Sequence, residues 1–98
     1  MNKIVYKQSF TIQEAFVLYM PVYSEVIKIA YQDGLPTLWY LHDVADTDGT
    51  AVARHFRVVG TGSVLEAYSI CQHIETLIDY TNGAVWHIFE VNHENHQL

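Results

Sequence analysis

Residues Tyr80–Glu90 read Tyr-Thr-Asn-Gly-Ala-Val-Trp-His-Ile-Phe-Glu, and they constrain the fold more than any other stretch. Asn-Gly supplies the two positive φ angles of a type I′ turn, whose twist matches that of paired antiparallel strands. Apolar and β-branched residues flank Asn82-Gly83 on both sides, so the segment reads as a β-hairpin. A two-residue loop sets its register: Ile78 opposite His87, Leu77 opposite Ile88, Thr76 opposite Phe89 and Glu75 opposite Glu90. One face then carries Ile74, Thr76, Ile78, Tyr80, Val85, His87, Phe89 and Val91, an apolar surface with a single imidazole.

The same alternation recurs upstream. Lys3–Phe10 is a strand with Ile4, Tyr6 and Phe10 on one face and Lys3, Lys7 and Ser9 on the other. Thr11–Glu14 has capping-box spacing, but β-leaning Ala15–Met20 and then Pro21 follow, so it reads as a turn between strands. Glu25–Tyr31 and Thr37–Asp43 form a second hairpin about Asp33-Gly34. A two-residue loop there places Ile29 opposite Leu38, Ile27 opposite Tyr40, and Lys28 over Trp39 in a cation–π contact; Leu35-Pro36 leaves a longer loop equally natural. Val44–Thr50 is polar and turn-rich, Ala51–Val59 is a strand, and Val64–Gln72 holds at most one short helix. Seven short strands give a mainly β fold: a compact antiparallel sheet, small sandwich or partly open barrel. Residues 1–92 form one domain, and 93–98 read as a flexible tail.

Composition narrows the chemistry. Eleven acidic against five basic residues give a formal charge of −6. The five basic residues are scattered, which argues against binding a nucleic-acid duplex, where phosphate neutralisation supplies the affinity. Cys71 is the lone cysteine, so no internal disulfide forms, which suits a reducing cytoplasm. No signal peptide and no run of about 20 apolar residues is present, so a soluble cytoplasmic protein without membrane contact is expected. Seven tyrosines and two tryptophans serve either to pack a small sheet or to line a recognition surface. A thin core with open sheet edges favours a homodimer or higher homo-oligomer.

Met20-Pro21, Val26-Ile27-Lys28-Ile29, Gln32-Asp33-Gly34, Pro36-Thr37-Leu38-Trp39, Gly60-Thr61-Gly62 and Trp86-His87-Ile88-Phe89-Glu90 occur in that order. In these segments the chain resembles a family of short proteins encoded by tailed bacteriophages and prophages. The resemblance runs from Lys3 to Glu90; it implies a viral origin and a small β-rich fold, with no established reaction.

Four places bear on chemistry. Gly60-Thr61-Gly62-Ser63 follows Arg57-Val58-Val59, and a glycine-rich turn can aim backbone N–H groups at an anion. It lacks the Gly-Lys-Ser/Thr ending of a P-loop, and a simple strand turn is the plainer reading. His87 is either a hydrogen-bonded core histidine or a ligand contact in an apolar pocket. Glu75 and Glu90, directly opposed, would repel and raise one pKa if shielded from water. His93 and His96 do not make a closed zinc pattern, so no metal site is expected.

These readings converge on a non-enzymatic protein that binds a small anionic ligand, a host nucleotide signal being the sharpest version. The expected site comprises Arg54, His55, Arg57, Gly60, Thr61, Gly62 and Ser63, with Trp39, Trp86 and His87 for stacking and hydrogen bonding. No cofactor is implied. The alternative is an inhibitor or assembly factor that meets a host or viral protein through an acidic, aromatic-rich surface. A small hydrolase using Glu75, Glu90 or His87 is third, because nothing supplies a nucleophile, base and orienting group together.

Overall fold

A computed structural model describes residues 2–44 and 50–92. Its strands are β1 (Lys3–Ser9), β2 (Ala15–Pro21), β3 (Glu25–Gln32), β4 (Leu35–Asp43), β5 (Ala51–Gly60), β6 (Cys71–Asp79) and β7 (Ala84–Val91). One turn of 3₁₀ helix, Tyr68–Ile70, precedes β6. The strands form two antiparallel sheets, β1-β4-β3 and β2-β5-β7-β6. The fold is therefore a small β-sandwich, one of the three architectures the alternation allows, and Thr11–Glu14 forms no helix.

The core lies where the two inner faces meet. Ile29, Leu38 and Tyr40 from the smaller sheet pack with Phe16, Leu18, Met20, Phe56, Leu77 and Ile88 from the larger. Phe10, on the β1–β2 connection, stacks on Phe16 with ring centroids 4.4 Å apart, and Phe16 stacks on Phe56 at 5.0 Å. Such a column of offset rings adds about 0.5–1.5 kcal/mol per pair beyond the area it buries. On one side the Gln8 side-chain amide donates to the Tyr19 carbonyl at 2.6 Å, tying edge strand β1 to edge strand β2. On the other side the Tyr31 hydroxyl of β3 interacts with the Asp79 carboxylate of β6 and the Trp86 indole of β7.

The β3–β4 hairpin follows the sequence reading closely. Asp33 and Gly34 take φ of 52° and 80°, the two positive angles of a two-residue primed turn. Lys28 opposes Trp39 and Ile29 opposes Leu38. Ile27, however, is a bulge, so Val26 opposes Tyr40 in its place. The bulge keeps Val26 inside and leaves Ile27 exposed. Lys28 and Trp39 are ladder neighbours but make no cation–π contact among the described residues.

The β6–β7 hairpin departs further. Asn82-Gly83 is not a two-residue loop: Asp79 pairs with Ala84, and Tyr80–Gly83 all lie in the turn. Only Gly83 takes a positive φ, 76°. Asp79 accepts bonds from the Thr81 amide and hydroxyl at 3.0 and 2.6 Å, and Asn82 accepts from the Ala84 amide at 2.9 Å. These side-chain bonds stabilise the longer turn over the primed one. The register therefore slides by two: Thr76 opposes His87, Ile78 opposes Val85, and Leu77 opposes Trp86. A second bulge, at Ile74, then sets Gln72 opposite Glu90. The expected Glu75–Glu90 pair does not form, since Glu75 faces Ile88.

The face that carries His87 is also not the core face. Leu77 and Ile88, on the opposite side of this hairpin, are the buried residues, so His87 and Phe89 look outward. Both faces of the hairpin are apolar, and burial of Phe56 between β2 and β7 decides which one turns inward.

Candidate functional site

Strand β5 outruns its neighbour β2, and that mismatch opens a groove. The last ladder pair between them is Ala15 with Arg57. Beyond it the Val58 amide still donates to the Glu14 carbonyl at 3.0 Å, and then the chain before β2 peels away. Side-to-side alternation along a strand puts the Gly60 amide on the same flank, past the end of β2. The resulting open groove of about 790 Å³ runs between Ile12–Ala15 on one wall and Ser63–Glu66 on the other. Arg57, Val58, Val59, Gly60 and Trp86 form its base.

Gly60–Ser63 closes the end of the groove as a tight turn. The Ser63 amide donates to the Gly60 carbonyl at 3.0 Å, and Gly62 sits at φ 90°, where a side chain would be strained. The expected cradle of backbone donors is thereby reduced, because Ser63 N–H is already engaged. Arg57, Gly60, Ser63 and Trp86 remain as groove-lining residues. A Cβ built on Gly60 would lie 3.7 Å from the Trp86 ring and 3.8 Å from the Ser63 hydroxyl, so these two groups close around Gly60. Glu14 and Glu66 stand on the walls. Arg57 makes no ion pair among the described residues.

Arg54 is held elsewhere. Its guanidinium meets the Glu90 carboxylate through two bonds of 2.5 and 2.7 Å. A third bond, 2.6 Å, goes to the Ser24 carbonyl on the β2–β3 turn. This bidentate clamp fixes that turn to β5 and β7, and it uses most of the donors a ligand would need. His55 borders a separate dent of about 230 Å³ with Ala15, Val17, Arg57 and Val91. Trp39 lies on the outer face of the other sheet, paired with Lys7 and Lys28, and does not border the groove.

His87 belongs to a polar chain on the outer face of the larger sheet. Its Nε2 lies 2.8 Å from the Thr61 hydroxyl and its Nδ1 lies 3.1 Å from the Thr76 hydroxyl. The Thr76 hydroxyl is in turn 3.0 Å from His73 Nε2. His87 is thus hydrogen-bonded, but as an outward-facing group that anchors the rim of the groove through Thr61.

The family model for DUF7352, described as a domain of unknown function, matches residues 1–98. The chain belongs to the DUF7352 family. No curated protein and no solved structure matches it. No helix of this DUF7352 chain is long and apolar enough to cross a membrane, among the described residues. Nor do three His, Cys, Asp or Glu side chains gather to hold a metal there. His93 and His96 lie outside the described residues.

The structure brings together Arg57, Gly60, Ser63 and Trp86 from the sequence-derived set. Thr61 and His87 adjoin them at the rim, whereas Arg54 and Trp39 stand apart. Glu14, Glu66, Ile12, Val64 and Leu65 escaped sequence reasoning, because their placement depends on where β2 leaves β5. His73 and Thr76 were missed because the hairpin register was set two residues away.

Proposed function

We propose that this protein is a non-enzymatic, phage-type accessory protein that binds and sequesters a small anionic ligand in the groove beside Arg57. The observation that carries this reading is that Arg57, Ser63 and Trp86 line one groove where β5 runs past β2. A groove of about 790 Å³ has the volume of an ordinary small-molecule site. Arg57 suits a phosphate or carboxylate, Trp86 suits a planar ring, and Glu14 and Glu66 suit amine or amide N–H donors on that ring. With Arg54 occupied by Glu90, a single guanidinium serves the groove, so the ligand carries one anionic group there rather than a dense polyphosphate. A nucleotide monophosphate or cyclic nucleotide has those parts, and the resemblance to phage proteins supports a host signal as its source and the host cytoplasm as its setting.

The test is a thermal-shift screen of native protein and Arg57→Ala against cyclic and linear nucleotides. A nucleotide is expected to raise the melting temperature of the native protein and to leave Arg57→Ala unmoved. No shift with any nucleotide in a folded sample would end this reading.

A second reading, docking on a host or viral protein, rests on the tyrosines. Tyr19, Tyr23, Tyr68 and Tyr80 are 64–92% exposed, and of the seven only Tyr40 is buried. Packing therefore does not account for their number. Tyr23 stands in solvent at a left-handed φ of 65°, a strained backbone that its side chain does not repay by packing. Recovery of one basic partner from host lysate by the native protein, and its loss with Tyr23→Ser, would favour this reading over the groove.

A further inference from the structure

The outer face of the larger sheet is apolar as well as the inner one. Val17 and Tyr19 on β2, Val59 on β5, Val85 and Phe89 on β7 and Ile78 on β6 all alternate to this side. Val17, Tyr19 and Ile78 are exposed there, and Val59, Val85 and Phe89 are half-buried. The four strands turn no carboxylate outward among the described residues. Glu75 pairs with Ile88 and Glu90 with Phe56, both core residues, and Asp79 shares the inward register two residues from Leu77. In a chain of formal charge −6, the acids are thus kept off this surface.

Two features of the face complement each other. A shallow dent of about 230 Å³ lies over β2 and β5, bordered by Ala15, Val17, His55 and Val91. A cavity of about 150 Å³ already holds a benzene ring, so the dent has room for a phenol. Tyr19, 64% exposed, projects from the same strand two residues beyond Val17. The Gln8 amide holds its backbone carbonyl at 2.6 Å, which fixes the strand beneath it. Both features look out of one face, so a chain cannot seat its own Tyr19 in its own dent. A two-fold axis lying across the strands near Val17 sets each copy's Tyr19 over the other's dent. The polar groups nearby tolerate cover. His87 and Thr76 bond to each other and to Thr61 and His73, so they can leave water with their partners in place. Arg57 also borders the groove, and a side chain of its length can bury its stem while its charged end stays wet.

We propose that this face docks a second copy of the same chain, in an isologous dimer whose Tyr19 rings fill each other's dents. Four strands about 4.8 Å apart and about eight residues long offer about 500 Å² in plan. A pair of copies therefore covers about 1,000 Å² in total, the threshold for a specific interface, and a reversible dimer is expected. The placement of the acids suits this occupant. Two chains of charge −6 repel each other, and an acid-free face lets them meet where that repulsion is weakest. The inference goes beyond the groove reading and stands apart from it, because Val17 and Tyr19 do not line the groove.

Sedimentation equilibrium of the full chain between about 5 and 500 µM measures the association, over a window suited to an interface of this size. The native chain is expected to dimerise, and more tightly in about 0.5 M than in about 0.05 M sodium chloride, because salt screens the repulsion between like-charged copies. Tyr19→Ala should weaken dimerisation about tenfold or more. Val17→Asp, which buries a carboxylate from each copy, should leave only monomer. Both positions are exposed, so both variants should melt within a few degrees of the native protein. Tyr68→Ala, at an exposed tyrosine outside the sheet, should dimerise as the native chain does. If Val17→Asp fails to fold, Tyr19→Ala decides alone, and unchanged association in it would overturn the proposal. A native chain still monomeric at the highest concentration, a dimer loosened by salt, or one that survives Val17→Asp in a folded sample would also overturn it.

Discussion

Arg54 and Arg57, three residues apart on β5, have opposite fates. Arg54 lies on the inward register, where Glu90 and the Ser24 carbonyl take its guanidinium. Arg57, three residues on, lies on the outward register at the edge of the groove. An odd separation in a strand always puts two side chains on opposite faces. Two arginines close in sequence are therefore not one basic cluster, and proximity to Gly60-Thr61-Gly62 does not give both the same task. Arg54 holds the β2–β3 turn to β5 and β7, whereas Arg57 borders the groove.

Removing each arginine should separate the roles. Arg54→Ala leaves the Glu90 carboxylate at the rim of the core without its partner, and a loss of about 2 kcal/mol is expected, less than for a fully buried pair. For a domain of this size that is roughly 10 °C in melting temperature. Arg57→Ala should change stability by less than about 0.5 kcal/mol. Equal melting temperatures for the two variants would break the comparison. A smaller effect sharpens it at the turn that Arg54 clamps: Tyr23→Gly relieves the left-handed φ and should stabilise by up to about 1 kcal/mol in denaturant melts. A destabilised Tyr23→Gly would mean that the exposed ring does pack.

The smallest effect is at the far end, where Asp79 holds the β6–β7 turn. Its carboxyl is held below the ordinary range, first by the Thr81 hydroxyl, then by the Thr81 amide and the Tyr31 hydroxyl, against some opposing burial. A depressed folded-state pKa stabilises the fold fully above the unfolded value near pH 4, and that contribution fades as pH falls through the folded value. Tyr31 shifts the other way, raised by burial first and then by the Asp79 charge. Thr81→Val removes the hydroxyl and keeps the amide, so the Asp79 midpoint in a carbon-detected titration should move up toward ordinary values. An unchanged midpoint would contradict the assignment of that hydroxyl as the main cause.

The sandwich was legible because alternation runs through seven segments and turn residues separate them. The β3–β4 hairpin was legible apart from the Ile27 bulge: of the two loop lengths the sequence left open, the two-residue one forms, with Asp33 and Gly34 both at positive φ. In the β6–β7 hairpin the same logic failed: Asp79, Thr81 and Asn82 bond within the turn and lengthen it, a choice that depends on side-chain geometry rather than on Asn-Gly. That slip of two displaced the partners of His87 and created the Glu75–Glu90 pair that does not exist. Inward and outward faces were also undecidable there, because Val85, His87 and Phe89 alternate with Trp86 and Ile88 at nearly equal hydrophobicity. The groove was half legible. Gly60–Ser63 and Arg57 marked its place, while Glu14 and Glu66 entered only once the departure of β2 from β5 was known.

The assignment of binding to the Arg57 end is tested most directly by mapping amide shifts while adenosine 5′-monophosphate or a cyclic nucleotide is titrated into the native protein. Perturbations should gather at Val58–Ser63, Glu14, Glu66 and the Trp86 indole, and disappear in Arg57→Ala. Perturbations gathered instead at Ser24, Arg54 and Glu90, or none at saturating nucleotide, would contradict the account.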